Sequence, residues 1–380
     1  MTLPVLVALV LSMLWRQLGA ATELLRLLHE EGLLWTGPVA VSPQALSERL
    51  RVFPAVLFAR VLEALLPPMQ ARWQARQRPL PPELAWAAER YSAVLTADGS
   101  TLDALQRQVG LLREAPGHPL AGRLVGGLDL GSRLPRQLWY EEDPQAHDQR
   151  CWPQGLAALP AGALLIFDLG WTNFRMFAQL TLAQVTFVTR AKSNLAYQVE
   201  RGLRRTATVH DTLVWISSGQ DRQPLRLIEV LYHGKWYRYL TNELDPERLP
   251  VAYAVALYYQ RWRIEDALAI VKRLLGLAYF WVGSINGVQL QLWATWILYA
   301  VLVDLTEAVA AALHRPTAAL SLEMAYRGLF YFARAYHRGD ASDPVAYLAA
   351  NAAWLGVLKR ERKSRPARFA ELTLTTASGP

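Results

Sequence analysis

The sequence has a single cysteine, Cys151, in 380 residues. A lone thiol excludes an intrachain disulfide framework and any cysteine-built zinc site, and it suits a reducing compartment such as the cytoplasm. The seven histidines, His29, His118, His147, His210, His233, His314 and His337, are scattered without metal-ligand spacing. The glycines form no phosphate-loop pattern, so no nucleotide cofactor is implied. Long hydrophobic runs are missing as well. Leu3 to Trp15 and Leu292 to Val303 are apolar over only about a dozen residues each, whereas a spanning helix needs about 20. Both read as buried helices, and no membrane partner is expected. The N-terminal stretch lacks a basic leading region and a small-residue cleavage site, which argues against a signal peptide.

What is present is a chain that can bury large cores. Hydrophobic residues make up 52% and charged residues 19%, with a mean hydropathy of +0.10. That balance excludes wholesale disorder, and the length allows two or three domains of ~150 residues. Lys and Arg number 40 against 32 Asp and Glu, a net charge of +8. The surplus favours a polyanion such as nucleic acid without selecting one.

Residues 1–90 read as helical. Ser42 before Pro43 makes an N-cap and first-turn pair, and a second helix from Pro54 to Leu66 is expected to stop at Pro67 and Pro68. Arg49, Arg51 and Arg60 on these short helices fit either a helix-turn-helix DNA binder or a plain bundle with solvated arginines. Residues 72–82 read as a linker. The chain opens directly in an apolar helix, an opening compatible with a longer DNA-binding N-terminal region than the one present.

From Tyr91 the pattern turns strand-like and ends at Asp98–Gly99. Strands are expected over 124–130 and 137–140, and a helix over 146–159. Ala163 to Phe167 is a continuous apolar run, as a strand buried on both faces requires, and it ends at Asp168–Leu169–Gly170. A helix over 173–183 and a strand over 185–189 follow. Residues 193–250 alternate polar and apolar with turn signals, the mark of antiparallel hairpins. Helical periodicity holds over 251–313, and 314–380 reads as helical, then basic at Lys359 to Lys363, then a tail. The whole is a mixed α/β protein with helical flanks.

Two aspartates, Asp98 and Asp168, sit where apolar strands end with glycine close behind, an arrangement that holds a carboxylate on a rigid strand. Such segments more often simply make turns. Asp129, also near a strand end, competes with Asp98. The helical segment 258–272 is more informative. At ~100° per residue, Tyr258, Arg261, Glu265 and Lys272 share one stripe about 60° wide, beside an apolar face made by Leu257, Ile264, Leu268, Val271 and Leu275. An Arg261–Glu265 pair at i,i+4 explains two of the four. Three carboxylates without paired histidines are hard oxygen ligands suited to Mg²⁺ or Mn²⁺, and two such ions catalyse phosphodiester displacement.

The spacing Tyr-x2-Arg-x3-Glu-x6-Lys, met by Tyr258, Arg261, Glu265 and Lys272, resembles the signature of DDE transposases of the insertion-sequence-four type. Ala97 to Thr101 and Phe167 to Trp171 look like that family's two aspartate motifs, though Ala97 and Ser100 depart from the commoner residues of the first. Thr189 to Asn194 and Tyr239 to Asn242 look like its intervening segments. The resemblance covers roughly residues 1–310. It implies a ribonuclease-H-like catalytic core, split as 91–192 and 251–313 around a β-strand insertion at 193–250. A helical N-terminal region at 1–90, expected to bind DNA, and a helical C-terminal region at 314–380 flank it.

By the same resemblance Asp98, Asp168 and Glu265 are the catalytic triad that binds two Mg²⁺ ions, with Mn²⁺ as a substitute. Tyr258, Arg261 and Lys272 hold the terminal phosphate and strand, Arg190 and Lys192 contact DNA, and Trp171 or Trp215 stacks on a flipped base. The implied function is cut-and-paste transposition: strand cleavage, hairpin formation and strand transfer at terminal inverted repeats, followed by insertion into target DNA. The expected partners are double-stranded DNA and a second copy in a synaptic homodimer, in a bacterial cytoplasm or nucleoid. A catalytically silent DNA-binding relic and a nuclease that only hydrolyses are the alternatives.

Overall fold

Strand β1 (Val94–Thr101) lies third in a nine-stranded sheet with β2 (Arg123–Asp129), β3 (Pro135–Glu141), β4 (Leu164–Phe167), β5 (Thr186–Arg190), β6 (Gln198–Arg205), β7 (Val209–Ser218), β8 (Asp221–Tyr232) and β9 (Lys235–Thr241), in the order β3-β2-β1-β4-β5-β9-β8-β7-β6. The computed structural model describes residues 1–18, 21–102, 122–143, 146–171, 173–218, 221–277, 280–281 and 284–360. His118, the basic positions 361–363 and the tail lie outside these residues.

Strands β1 to β3 form an antiparallel meander, and β1, β4 and β5 run parallel. Beyond β5 the sheet continues as four antiparallel strands, with β9 against β5. A meander followed by two parallel strands, covered by helices, is consistent with a ribonuclease-H-like core with helical flanks. The strands of the 193–250 segment extend this same sheet.

All four residues of β4 are buried, which explains its unbroken apolar run. Strand side chains alternate between faces. Leu164, Ile166, Val188 and Tyr239 pack with Val255, Leu257 and Tyr258 of a covering helix (Val251–Tyr259). Leu165, Phe167 and Phe187 pack on the opposite face with Trp171 and with Phe177 and Leu180 of the Phe174–Leu182 helix. In chain order the helices are α1 (Leu3–Arg16), α2 (Ala21–Glu30), α3 (Pro43–Val52), α4 (Val56–Ala75), α5 (Pro82–Ala88), α6 (Trp152–Ala157), α7 (Phe174–Leu182), α8 (Val251–Tyr259), α9 (Trp262–Ala269), α10 (Ile285–Ala312), α11 (Leu322–His337) and α12 (Pro344–Ala350).

The N-terminal helices pack on α10 through Leu46, Leu50, Phe58, Leu62 and Trp296. The bend of 66° between α3 and α4 is pinned by Asn286 of α10, whose side chain accepts from Ala55 N–H and donates to the Phe53 carbonyl. Arg49, Arg51 and Arg60 are exposed around this bend. The expected stop at Pro67 does not occur: α4 runs through both prolines to Ala75. Packing of α4 along α10 outweighs the lost backbone hydrogen bonds, with Met69 buried beyond the prolines. The expected linker is tied down as well, since Arg72 and Arg76 both reach Asp304 at 2.7 Å and Arg78 reaches Glu307 at 2.5 Å.

Helix α10 is also longer than its apolar segment promised. Its 28 residues are long and apolar enough to cross a membrane by length and composition, yet 61% of the most apolar window is buried inside the molecule, as in a core helix.

Candidate active site

The parallel pairing of β1 with β4 ends at Ala97 opposite Phe167. The next residues, Asp98 and Asp168, therefore occupy neighbouring positions on the face covered by α8 and α9. Asp98 does not end its strand as the sequence suggested. Pairing with β2, with Asp98 opposite Gly126, carries β1 on to Thr101, while β4 stops. Each aspartate is steered by the backbone that follows it: Asp98 Oδ1 accepts from Gly99 N–H at 2.8 Å and Asp168 Oδ1 from Leu169 N–H at 2.6 Å. Thr189 is opposite Phe167, so Arg190 extends the row beside Asp168.

The helical segment carrying the Tyr-Arg-Glu-Lys signature is not continuous. Helix α8 ends at Tyr259, a tight turn follows in which Arg261 N–H bonds the Tyr258 carbonyl, and α9 then runs into a π-helical turn at Ile270–Leu274. Gln260 braces the break by donating to Glu83 and accepting from Arg263. The turn places Arg261 between the strands and α9. Its Nη2 meets Glu265 Oε1 at 2.8 Å and its Nη1 lies 3.5 Å from Asp98 Oδ2. Lys272, on the π turn, bonds Ser100 Oγ of β1 through its Nζ.

Burial opposes the charge on Arg261, yet Asp168, Tyr258, Glu265 and Asp98 together hold its pKa above the ordinary value. Burial first, and then the charge of Asp168, pushes the Tyr258 phenol well above its usual range, so it stays a proton donor at neutral pH. Burial and the neighbouring Arg123 lower Lys272, partly opposed by Asp98.

No group of three or more His, Cys, Asp and Glu side chains among the described residues is gathered tightly enough to hold a metal ion unaided. The carboxylates instead share a cation, the Arg261 guanidinium. Carboxylate oxygens from β1, the end of β4 and α9, arranged about a positive charge, are hard donors of the kind a divalent metal ion takes.

Other residues singled out in the sequence lie elsewhere. Asp129 ends β2 opposite Leu95, and its Oδ1 accepts from the Ser132 amide and hydroxyl at 2.7 and 2.9 Å, so it caps a turn. Trp171 is buried on the face opposite Asp98, edge-on to Trp152. Trp215 lies under Arg222 on β7, 4.5 Å from the guanidinium to the ring centroid. Lys192 is exposed in the loop after β5. The sequence reading missed Tyr237 and Lys235, which lie near Arg190. Their signal was the alternation Lys-x-Tyr-x-Tyr over 235–239.

A mixed sheet with one aspartate on β1, a second just past the end of the parallel strand β4 and a glutamate on the covering helix is consistent with a ribonuclease-H-like core that carries an acidic site. Comparison with known proteins narrows it. Residues 117–301, which include Asp168 and Glu265 but begin after Asp98, match the family model of the transposase DDE domain. The chain is also 35% identical over 171 residues to the putative transposase y4zB of Sinorhizobium fredii (strain NBRC 101917 / NGR234), a match covering 42% of this chain and 46% of that protein. The chain thus spans under half the length of this relative. The first match supports a transposase DDE domain over 117–301, and the second is a likeness to a putative transposase.

Proposed function

We propose that the protein is a DNA transposase that cuts the ends of an insertion sequence and joins them to a target, and that Asp98, Asp168 and Glu265 are its catalytic carboxylates. The observation that carries the reading is that Asp98 and Glu265 both reach the buried Arg261, beside a protonated tyrosine and a lysine, while the charge of Asp168 also acts on that guanidinium. Two Mg²⁺ ions held there would supply activation of water or a 3′-hydroxyl and stabilise the leaving oxygen. The chain's own groups grip the DNA. Tyr258 would donate to a phosphate oxygen, while Arg261 and Lys272 would neutralise the phosphate. The finer steps belong to the same proposal: hairpin formation, reopening and cut-and-paste insertion at inverted repeats by a homodimer.

A non-cutting DNA-binding protein is the second reading, favoured by the cation that Arg261 already supplies to the carboxylates. Strand cleavage of a cognate end with Mg²⁺ separates the two. Activity that persists in Asp168→Asn and Glu265→Gln sinks the triad, and nicks without hairpins or insertions leave only a nuclease.

A further inference from the structure

Helix α4 packs on α10 with one face and leaves the other in solvent. With Val56 set at zero and ~100° per residue, Phe58, Leu62 and Met69 fall at about 200–240° and are buried. Val56, Leu57, Val61, Ala64, Pro67 and Pro68 share the opposite side, and all six are exposed. Apolar residues scattered singly over a surface are ordinary, whereas these adjoin along one helix face.

Two polar features belong to the same face. Arg60 and Glu63 stand one turn apart near its middle, both exposed, and neither is ion-paired among the described residues. Pro67 and Pro68 carry no N–H, so the carbonyls four residues back, those of Glu63 and Ala64, lack their helical donors. The face thus offers a cation, a carboxylate and two acceptors within an apolar strip.

These groups are placed symmetrically along the helix. Counted from Leu62, Val56 is as far in one direction as Pro68 is in the other, Leu57 matches Pro67, and Arg60 matches Ala64, next to Glu63. A second α4 crossing antiparallel at Leu62 therefore sets Val56 and Leu57 of each chain on the two prolines of the other. It also sets each Arg60 against a Glu63 carboxylate and an Ala64 carbonyl. A two-fold axis makes every such contact twice, so the face is complementary to itself. A nucleic-acid duplex fits it poorly, because one cation per strip of valine, leucine and proline cannot answer a row of phosphates.

We propose that the exposed face of α4 binds a second copy of this chain, as an antiparallel helix pair in which Arg60 of each chain meets Glu63 of the other. The inference goes beyond the transposase reading and does not rest on it, since the homodimer of that reading acts on DNA ends and this pair needs none. One helix crossing buries less than the ~800 Å² per partner of a standard interface. The pair therefore forms and parts at concentrations on the order of tens of micromolar.

The test is sedimentation velocity of the full chain without DNA, from about 1 to 100 μM. The wild type is expected to pass from monomer to dimer across that range. Arg60→Glu and Glu63→Arg each set like charges opposite one another twice and should weaken association about tenfold or more. An equimolar mixture of the two should associate as the wild type does, because one chain then presents two carboxylates and the other two cations. Leu57→Lys, which buries a charge against proline, should also weaken the pair about tenfold. All three positions are exposed, so melting temperatures close to the wild type's are expected. A wild type that stays monomeric, an Arg60→Glu chain that associates undiminished, or a mixture that associates no better than its components overturns the helix pair. Strand cleavage by such a chain would leave the transposase reading standing, while a chain that pairs as expected yet cuts no DNA end would keep the pair and remove that reading.

Discussion

Arg261 sits at the balance point of the site. It is 7% exposed and shares its charge with carboxylates from three elements. Replacing it with glutamine leaves those carboxylates facing one another in partly buried surroundings, so Arg261→Gln is expected to lower the melting temperature of the metal-free protein. Added Mn²⁺ should raise the variant's melting temperature more than the wild type's, because the ion no longer competes with the guanidinium. A variant that Mn²⁺ stabilises no better than wild type would speak against a shared cation position. Lys272 gives a second prediction. Its pKa lies below 10.5, so its charge, and the DNA affinity it supports, should fall earlier on the alkaline side than for a free lysine. Lys272→Arg should flatten that fall on the alkaline side, read as DNA affinity at constant salt.

Among the elements, the turn after β2 and helix α10 show what register and packing add. Asp98 and Asp129 both follow strand-like segments, and Gly99 with the family resemblance favoured Asp98; by register one lies beside Asp168, while the other caps the turn to Ser132. Burial raises the Asp129 pKa. A raised folded-state value means that its contribution to stability is fullest below about pH 3.9 and is lost as pH rises through the folded pKa. Asp129→Asn keeps an acceptor for Ser132 and removes the buried charge, so near neutral pH it should melt no lower than wild type and should retain cleavage. Asp129→Ala, which leaves the Ser132 donors unanswered, should lose about 1–3 kcal/mol. An Asp129→Asn variant that folds but no longer cleaves would move Asp129 into the site. In α10, Glu307 is 1% exposed and ion-paired with Arg78. Glu307→Ala strands that arginine and should cost about 3–5 kcal/mol in chemical denaturation, far more than Glu323→Ala at an exposed pair.

For the whole molecule, α10 joins the N-terminal helices to the catalytic layer, with Leu290, Trp296 and Leu302 all buried among them. Its central amides should therefore exchange with solvent only through global unfolding, whereas those of the exposed edge strand β6 should exchange by local opening. Hydrogen exchange showing the reverse order would contradict a core role for α10. The mixed α/β class was legible, because Ala163 to Phe167 reads as a strand covered on both faces and 193–250 alternates as paired strands must. The path of α4 through Pro67 and Pro68 was not, since proline's local cost is outweighed there by packing on a helix distant in sequence.

The sequence by itself determined what depends on neighbours along the chain. Helical periodicity put Arg261 within reach of Glu265, and it marked Tyr258 and Lys272 as companions of that pair. Tertiary structure alone decided what depends on register. It set Asp98 beside Asp168, within reach of Arg261, and turned Tyr237 and Lys235 toward the same face, because a shift of one residue in strand pairing would send each of these strand side chains to the other side of the sheet.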